Sequence, residues 1–331
     1  MLPTLSEIES AAQLVRQVVA PTPQYCWPLL CEQLGAEVWV KHENHTPVGA
    51  FKIRGGLVYF AELARSHGLR NGVVTATRGN HGLSVAYAAQ RHGIAATVVV
   101  PHGNSKEKNA AMRALGVELI EHGEDFQAAR EHAEALAQQR SLQMVPSFHP
   151  LLVAGVATYS LELLRAVPEI DIAYVPIGLG SGICGMLAVR DALGLKTEVV
   201  GVVSTQAPAY ARSFHARRPI ECPATTVIAD GMACRKPEPA ALEEIYRGVE
   251  RIVEVTDEEI ASAMRTLFAC THNISEGAGA AALAAAQKEK SRLTRRRIAI
   301  VLSGSNVDRD MYTSVLGGVA STRPPFDPTV V

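Results

Sequence analysis

Six short runs of β-branched and other apolar residues, separated by helical segments, constrain the fold of this chain most strongly. The runs cover residues 37–40, 73–75, 97–100, 172–175, 199–203 and 298–302. Strands that are apolar throughout are typical of parallel sheets covered on both faces, with crossover helices between the strands. Helices are predicted over residues 54–66, 81–91, 106–115, 125–139, 258–271 and 277–287. The pattern therefore predicts an α/β fold.

The composition argues against several classes of partner. The 331 residues include 32 lysines plus arginines and 33 aspartates plus glutamates, so the net charge of -1 offers no general attraction for nucleic acid or an anionic membrane. No apolar run approaches the ~18 residues of a membrane helix, and the first residues lack the pattern of a secretory signal. The six cysteines are dispersed, as is typical of reduced thiols. We therefore expect a cytoplasmic protein that binds neither nucleic acid nor membrane.

Four polar or glycine-rich segments follow predicted strands. They cover residues 44–55, 75–82, 178–185 and 303–306. In open α/β sheets, ligands bind beyond the carboxyl ends of the strands. We therefore expect these four loops to form a site for a small molecule.

The loop Gly178-Leu179-Gly180-Ser181-Gly182 opens a predicted helix, where backbone N–H groups can bind a phosphate. Gly180, Gly182 and Gly185 also match the dinucleotide fingerprint G-x-G-x-x-G, so a nicotinamide-dependent oxidoreductase is one hypothesis. The next apolar run, however, ends in Ser204 and Thr205 and not in the acidic residue that would bind a ribose. A glycine-tightened turn without a ligand is a further alternative.

Lys52 lies in the first of these loops. A lone lysine at a helix start is usually a solvated surface residue. Here Phe51, Ile53 and nearby glycines flank it, so we expect its ammonium to be partly desolvated. Desolvation lowers the pKa of a lysine from about 10.4 and makes the amine available as a nucleophile.

Several motifs occur together and in a fixed order. They are Lys41-His42-Glu43-Asn44, Gly49-Ala50-Phe51-Lys52-Ile53-Arg54-Gly55, Thr77-Arg78-Gly79-Asn80-His81-Gly82, Gly178 to Gly182, Ser275-Glu276-Gly277-Ala278-Gly279-Ala280 and Ser303-Gly304-Ser305-Asn306. Through them the sequence resembles the pyridoxal-phosphate (PLP) dependent enzymes of the tryptophan-synthase-β fold type, and within these the serine/threonine dehydratase and serine racemase group. The resemblance spans residues 22–308.

The resemblance implies roles for individual residues. Lys52 would carry the cofactor as a Schiff base and then remove the α-proton of the substrate. Asn80 would hydrogen-bond the phenolic oxygen of the cofactor, and Ser303 would face its pyridine nitrogen. The implied cofactor-binding residues are Lys52, Phe51, Asn80, Gly178, Leu179, Gly180, Ser181, Gly182 and Ser303. The implied substrate-binding residues are Thr77, Arg78, Gly79, Asn80 and His81.

The implied reaction is a β-elimination. A serine hydroxyl can donate to a neutral pyridine nitrogen but cannot sustain its positive charge, so the cofactor is a weaker electron sink and loss of a β-leaving group is favoured. A PLP-dependent ammonia-lyase of this kind converts a β-hydroxy amino acid such as threonine or serine into a 2-oxo acid and ammonia. A dehydratase specific for phenylserine or 3-hydroxyaspartate is the main alternative. An amino-acid racemase and a β-replacing synthase are less favoured.

The resemblance also implies an architecture. It predicts two open, twisted, mainly parallel sheets with flanking helices. A small domain of residues 72–149 carries the asparagine loop and is inserted in a large PLP-binding domain of residues 1–71 and 150–331. We also expect a homodimer.

Three features depart from the pattern of the group. Ala50 replaces a serine, Leu179 and Ser181 interrupt the glycine run, and Arg78 stands where racemases have serine and dehydratases have serine or alanine. Arg78 either points to solvent or contacts a carboxylate or an aromatic ring of the substrate. Residues 203–209 contain no acid where racemases of the group bind a divalent cation, so no metal is expected.

Overall fold

A computed structural model describes residues 2–66 and 71–318. The helices within these ranges are α1 (Leu5–Val15), α2 (Pro28–Leu34), α3 (Lys52–Arg65), α4 (Asn80–Arg91), α5 (Lys106–Ala114), α6 (Phe126–Gln139), α7 (Pro150–Ala166), α8 (Ser181–Ala192), α9 (Ala209–Ala216), α10 (Pro239–Gly248), α11 (Asp257–Thr271), α12 (Gly277–Lys288) and α13 (Arg309–Leu316). The strands are β1 (Gln24–Cys26), β2 (Glu37–His42), β3 (Val73–Ala76), β4 (Ala96–Val100), β5 (Glu118–Glu121), β6 (Gln143–Met144), β7 (Ile172–Pro176), β8 (Glu198–Ser204), β9 (Arg251–Val255) and β10 (Arg297–Leu302). Two 3₁₀ turns cover Asp230–Met232 and Lys290–Arg292.

Six strands form the larger sheet, in the order β1-β2-β10-β7-β8-β9. Every pair in it is parallel except the edge pair β1–β2. Val38 and Val40 pair in register with Ile298 and Ile300, and all four side chains are buried because helices cover both faces. The carboxyl ends of β2, β10, β7 and β8 therefore meet at one edge of the sheet.

Four parallel strands form the smaller sheet, in the order β5-β4-β3-β6. They come from one continuous segment, residues 73–144, whereas the larger sheet takes strands from both sides of it. The parts of the expected large domain at Met1, 67–70 and 319–331 lie outside the described residues. Two mainly parallel sheets with flanking helices confirm the predicted fold class.

All six predicted strands and all six predicted helices are confirmed, with bounds that differ by at most two residues. Strands β1, β5, β6 and β9 were not predicted from the sequence. β5 and β6 are short and partly exposed, with polar residues such as Glu118 and Gln143, so they lack the apolar run of a buried strand.

Helix α7 was also missed, and it is central to the core. Twelve of its 17 residues are buried, so its sequence shows no polar face from which a helical period could be recognised. It packs against α3 at very short range, because a Cβ on Gly155 would lie 2.3 Å from the carbonyl oxygen of Arg54. This packing holds the first turn of α3 at the edge where the strands end.

Within residues 2–66 and 71–318, the helices are all too short or too polar to cross a lipid bilayer.

Candidate active site

A cavity of about 550 Å³ lies where the carboxyl ends of the two sheets face each other. Each of the four predicted loops contributes to its wall. The lining includes Phe51, Lys52, Thr77, Arg78, Gly79, Asn80, His81, Gly178, Leu179, Gly180, Ser181, Gly182 and Ser303. The structure therefore brings together every residue for which the sequence predicted a site role.

Lys52 is the first residue of α3 and is anchored within this cavity. Its Nζ donates to the Ser181 hydroxyl at 3.3 Å and lies 4.7 Å from the centre of the Phe51 ring. Burial lowers the pKa of Lys52 to about 8, against the opposing charge of Glu276. A fraction of the amine is thus unprotonated at physiological pH, and the unprotonated form is the nucleophile.

The glycine loop forms an anion cradle at the start of α8. Gly180 has φ +101°, and a Cβ on it would lie 2.5 Å from Cβ of Ala241. The Tyr210 hydroxyl donates to the Leu179 carbonyl at 3.0 Å and holds the loop in place. The first N–H groups of α8 lack intrahelical acceptors and are available to a phosphate.

The asparagine loop is held by the side chain of Thr77. Its hydroxyl oxygen accepts from the N–H groups of Gly79 at 2.9 Å and Gly82 at 3.1 Å, which fixes the start of α4. Asn80 is the first residue of that helix. His81 is buried, and burial together with the nearby charge of Lys52 lowers the pKa of its imidazole to about 3, so the ring is neutral.

Three charged groups beside Asn80, namely Glu276, Lys108 and Asp230, form a cluster that the sequence did not predict. Asn80 Nδ2 donates to Glu276 Oε1 at 2.7 Å, and Lys108 Nζ donates to Asp230 Oδ2 at 2.8 Å and lies 3.6 Å from Glu276 Oε2. Burial raises the pKa of Glu276 to about 7, although Lys108 opposes the shift. The motif from Ser275 contained Glu276 without a role, and nothing in the sequence pointed to Lys108 or Asp230.

Ser303 follows β10 and faces the same cavity. Its carbonyl accepts from the Phe51 N–H at 3.1 Å, which ties the end of the central strand to the residue before Lys52. Asn306 extends this link, because its Nδ2 donates to Asn80 Oδ1 at 2.9 Å. The last loop and the asparagine loop thus hold each other in position.

A buried ionic network lies behind Lys52. Arg54 contacts Glu43 at 2.7 Å and Glu162 at 2.8 Å, and Lys41 contacts Glu162 at 2.7 Å. The four side chains are at most 5% exposed and carry no net charge as a group. They fasten β2, α3 and α7 together, which explains why lysine, glutamate and arginine occur in the motifs around Lys52.

This arrangement fits the cofactor that the motifs imply. A buried amine is suited to an aldehyde, a cradle of N–H groups with no room for a Cβ at Gly180 is suited to a phosphate, and the amide of Asn80 and the hydroxyl of Ser303 are hydrogen-bonding groups for a polar ring. The electrostatics and the donor set both match PLP.

Comparisons with known proteins agree with the geometry. An L-threonine ammonia-lyase of Thermotoga maritima is 34% identical over 331 residues, covering 99% of this chain and 82% of that relative. A biosynthetic L-threonine dehydratase of Pasteurella multocida is 31% identical over 89% of this chain, which spans only 58% of that relative's length. 

Solved structures give the same result. A processed threonine deaminase isoform 2 from Solanum lycopersicum superposes with a TM-score of 0.86 at 27% identity, over 96% of this chain and 94% of that chain. A serine racemase from maize superposes with a TM-score of 0.88 at 26% identity, over 96% and 98%. Residues 15–304 match the family described as pyridoxal-phosphate dependent enzyme. The chain is therefore a member of the pyridoxal-phosphate dependent enzyme family and uses PLP as its cofactor.

Proposed function

We propose that this chain is a PLP-dependent ammonia-lyase that converts a β-hydroxy amino acid, such as threonine or serine, into a 2-oxo acid and ammonia. The buried amine of Lys52 beside the glycine loop carries the proposal. The activity named for the Thermotoga maritima relative, which is similar over nearly the whole of this chain, supports the substrate class.

PLP, when bound, supplies an aldehyde that condenses with amines and a conjugated ring that withdraws electrons from the substrate Cα. Lys52 holds the cofactor and, once released, accepts the α-proton at its Nζ; its lowered pKa keeps part of the amine unprotonated near neutral pH. The N–H groups of residues 178–182 bind the phosphate and orient the ring.

The remaining site residues position the two ligands. Asn80, held by Glu276 and Asn306, donates to the oxygen on the cofactor ring, and the Ser303 hydroxyl donates to the ring nitrogen. The loop from Thr77 into the first turn of α4 at His81 binds the substrate carboxylate through its N–H groups. A neutral ring nitrogen favours loss of the β-hydroxyl over reactions that need a long-lived carbanion.

Arg78 argues against racemisation. A second proton carrier on the face opposite Lys52 is required to invert the Cα centre, and racemases of the group use a serine at this position. A guanidinium stays charged and cannot exchange that proton. Elimination is thus favoured over inversion.

We propose that residues 72–149 form a small domain that closes over the substrate, as lids do in many enzymes. Ion pairs that join this segment to the rest of the chain include Lys108 to Asp230 at 2.8 Å and Arg235 to Asp125 at 2.9 Å. Both lie at the cavity, so closure and assembly of the site would be coupled.

We also propose that the protein is a homodimer in the cytoplasm. Of the five large apolar side chains that are exposed within residues 2–66 and 71–318, four lie on β1, on α2 and in or just after α11, namely Tyr25, Leu29, Phe268 and Ile274. They belong to neighbouring surfaces, because Gln33 of α2 contacts Cys270 of α11 at 3.4 Å. A second copy would cover this apolar face. The free thiols of all six cysteines are in keeping with a reducing compartment.

The test is to load the purified protein with PLP and measure ammonia and 2-oxo acid released from threonine and serine in both configurations. We expect release from at least one of them, and none from the Lys52→Ala variant. Turnover that requires an added nucleophile would indicate a β-replacing synthase. Inversion at Cα without ammonia would indicate a racemase, and either result would contradict the proposal.

A further inference from the structure

Three arginines line the cavity, and two of them are paired with carboxylates. Arg130 Nε contacts Glu134 at 2.9 Å, and Arg235 Nη1 contacts Asp125 at 2.9 Å. Within residues 2–66 and 71–318, Arg78 has neither a hydrogen bond nor an ion pair, and its Nε is buried. Arg78 is thus an uncompensated guanidinium in the wall of the cavity.

The position of Arg78 determines which part of a substrate it can contact. It follows β3 and immediately precedes the turn into α4, whose N–H groups are proposed to take the α-carboxylate. β3 pairs with β6, and residues just after β6, Pro146 and Phe148, line the same cavity. Arg78 thus enters the cavity from the end of the small-sheet strand β3, whereas the glycine loop follows the large-sheet strand β7.

An unpaired guanidinium is a strong receptor for a carboxylate. Its planar donors match the two carboxylate oxygens, and its partly buried position in the wall of the cavity strengthens the attraction because water screens it less. A substrate with one carboxylate would leave this charge unsatisfied. A substrate with a second carboxylate on Cβ would neutralise it.

We infer that Arg78 is a specificity-determining residue that binds a second carboxylate of the substrate, so that the preferred substrates are dicarboxylic β-hydroxy amino acids of the 3-hydroxyaspartate class. The inference rests on the proposed function, because it names the substrate class of the same elimination. Threonine and serine are then the poorer substrates of this chain.

The first experiment measures binding without turnover. Succinate and butyrate have four carbons each and lack an amino group, and they differ in the second carboxylate. We expect calorimetry on the PLP-loaded protein to show succinate binding more tightly than butyrate by roughly 10- to 100-fold, the range for hydrogen bonds to charged groups. Arg78→Ala should bring this ratio to within about threefold, and Arg78→Lys should retain part of it because lysine keeps the charge but not the fork.

Arg130→Ala is the matched control, because Arg130 lines the same cavity but is already paired with Glu134. Its succinate-to-butyrate ratio should stay within about twofold of the wild-type ratio. Cofactor absorbance and circular dichroism establish that each variant is folded and loaded. If Arg78→Ala fails either check, Arg78→Lys and Arg78→Gln supply the comparison.

The second experiment compares kcat/KM for 3-hydroxyaspartate, threonine and phenylserine. We expect 3-hydroxyaspartate to rank first and Arg78→Ala to lower its kcat/KM at least about tenfold more than that of threonine. The inference is overturned if Arg78→Ala changes neither the binding ratio nor this ranking, or if phenylserine ranks first. One outcome separates the two proposals. If no substrate releases a 2-oxo acid but succinate still binds the wild type more tightly than it binds Arg78→Ala, the proposed function is wrong and the carboxylate site is supported.

Discussion

The buried network around Glu162 offers the sharpest test of how the segment that carries Lys52 is held in place. Glu162 Oε1 accepts from Arg54 Nη1 at 2.8 Å, and Oε2 accepts from Arg54 Nη2 at 2.9 Å and from Lys41 Nζ at 2.7 Å. Glu43 supplies the other negative charge. Glu162→Gln keeps the shape of the side chain but leaves two buried cations with one carboxylate.

The expected cost follows from that imbalance. Removing one partner of a buried ion pair destabilises a protein by about 3–5 kcal/mol, because the remaining charge is left without compensation. Removing Lys41 as well restores the balance between Arg54 and Glu43. We therefore expect Lys41→Met with Glu162→Gln to lose at least about 1 kcal/mol less than the sum of the two single variants.

The pKa of Glu162 determines how the free energy of unfolding changes with pH. Burial by itself would raise the pKa of Glu162, but its hydrogen bonds to Arg54 and the charges of Arg54 and Lys41 hold it below the usual value. A carboxyl whose folded pKa is depressed contributes stability above its unfolded pKa and loses it as the pH falls through the folded value. Below about pH 5, the wild type should therefore lose more unfolding free energy than Glu162→Gln.

Urea unfolding of the apoprotein at neutral and acid pH measures these free energies. Glu9→Gln is the control, because Glu9 pairs with Arg165 of the same helix α7 but both side chains are exposed, which limits its cost to about 1 kcal/mol. If Glu162→Gln costs no more than Glu9→Gln, the network does not hold α3 in place and the reasoning is wrong.

Four further predictions concern the site. Lys52→Ala should lose the borohydride-reducible cofactor adduct and turnover, and peptide mapping of the wild-type adduct onto another lysine would contradict the assignment. Ser303→Ala should slow turnover by about tenfold with unchanged circular dichroism, whereas unchanged kinetics would mean that another group faces the ring. The rate at which the apoprotein binds PLP should rise with increasing pH, with a midpoint near pH 8. Glu276→Gln should shift this midpoint to lower pH, because the Glu276 carboxylate raises the pKa of Lys52. A shift to higher pH would refute this coupling. Chelator should change turnover by less than about twofold, and strong activation by magnesium would contradict the expected independence of metal.

Local chemistry made much of the fold predictable. The wholly apolar side chains of residues 298–302 and 199–203 predicted buried strands. The small residues of 277–287 predicted a closely packed helix. The position of Lys52 between Phe51 and Ile53 predicted its desolvation, and the motif order predicted the cofactor. Helix α7 was not recognised, because a helix buried on nearly all faces has no amphipathic period.

The sequence by itself determined the α/β class, the order of the loops and the residue types that line the cavity, since these depend on neighbours within one element or one turn. Only the tertiary structure decided which charges face each other across more than a hundred residues. Glu162 meets Lys41, and both Asp230 and Glu276 meet Lys108. The tertiary structure also leaves Arg78 unpaired, whereas the other arginines that line the cavity form ion pairs with carboxylates. Such pairings depend on how separate elements pack, and no local pattern encodes them.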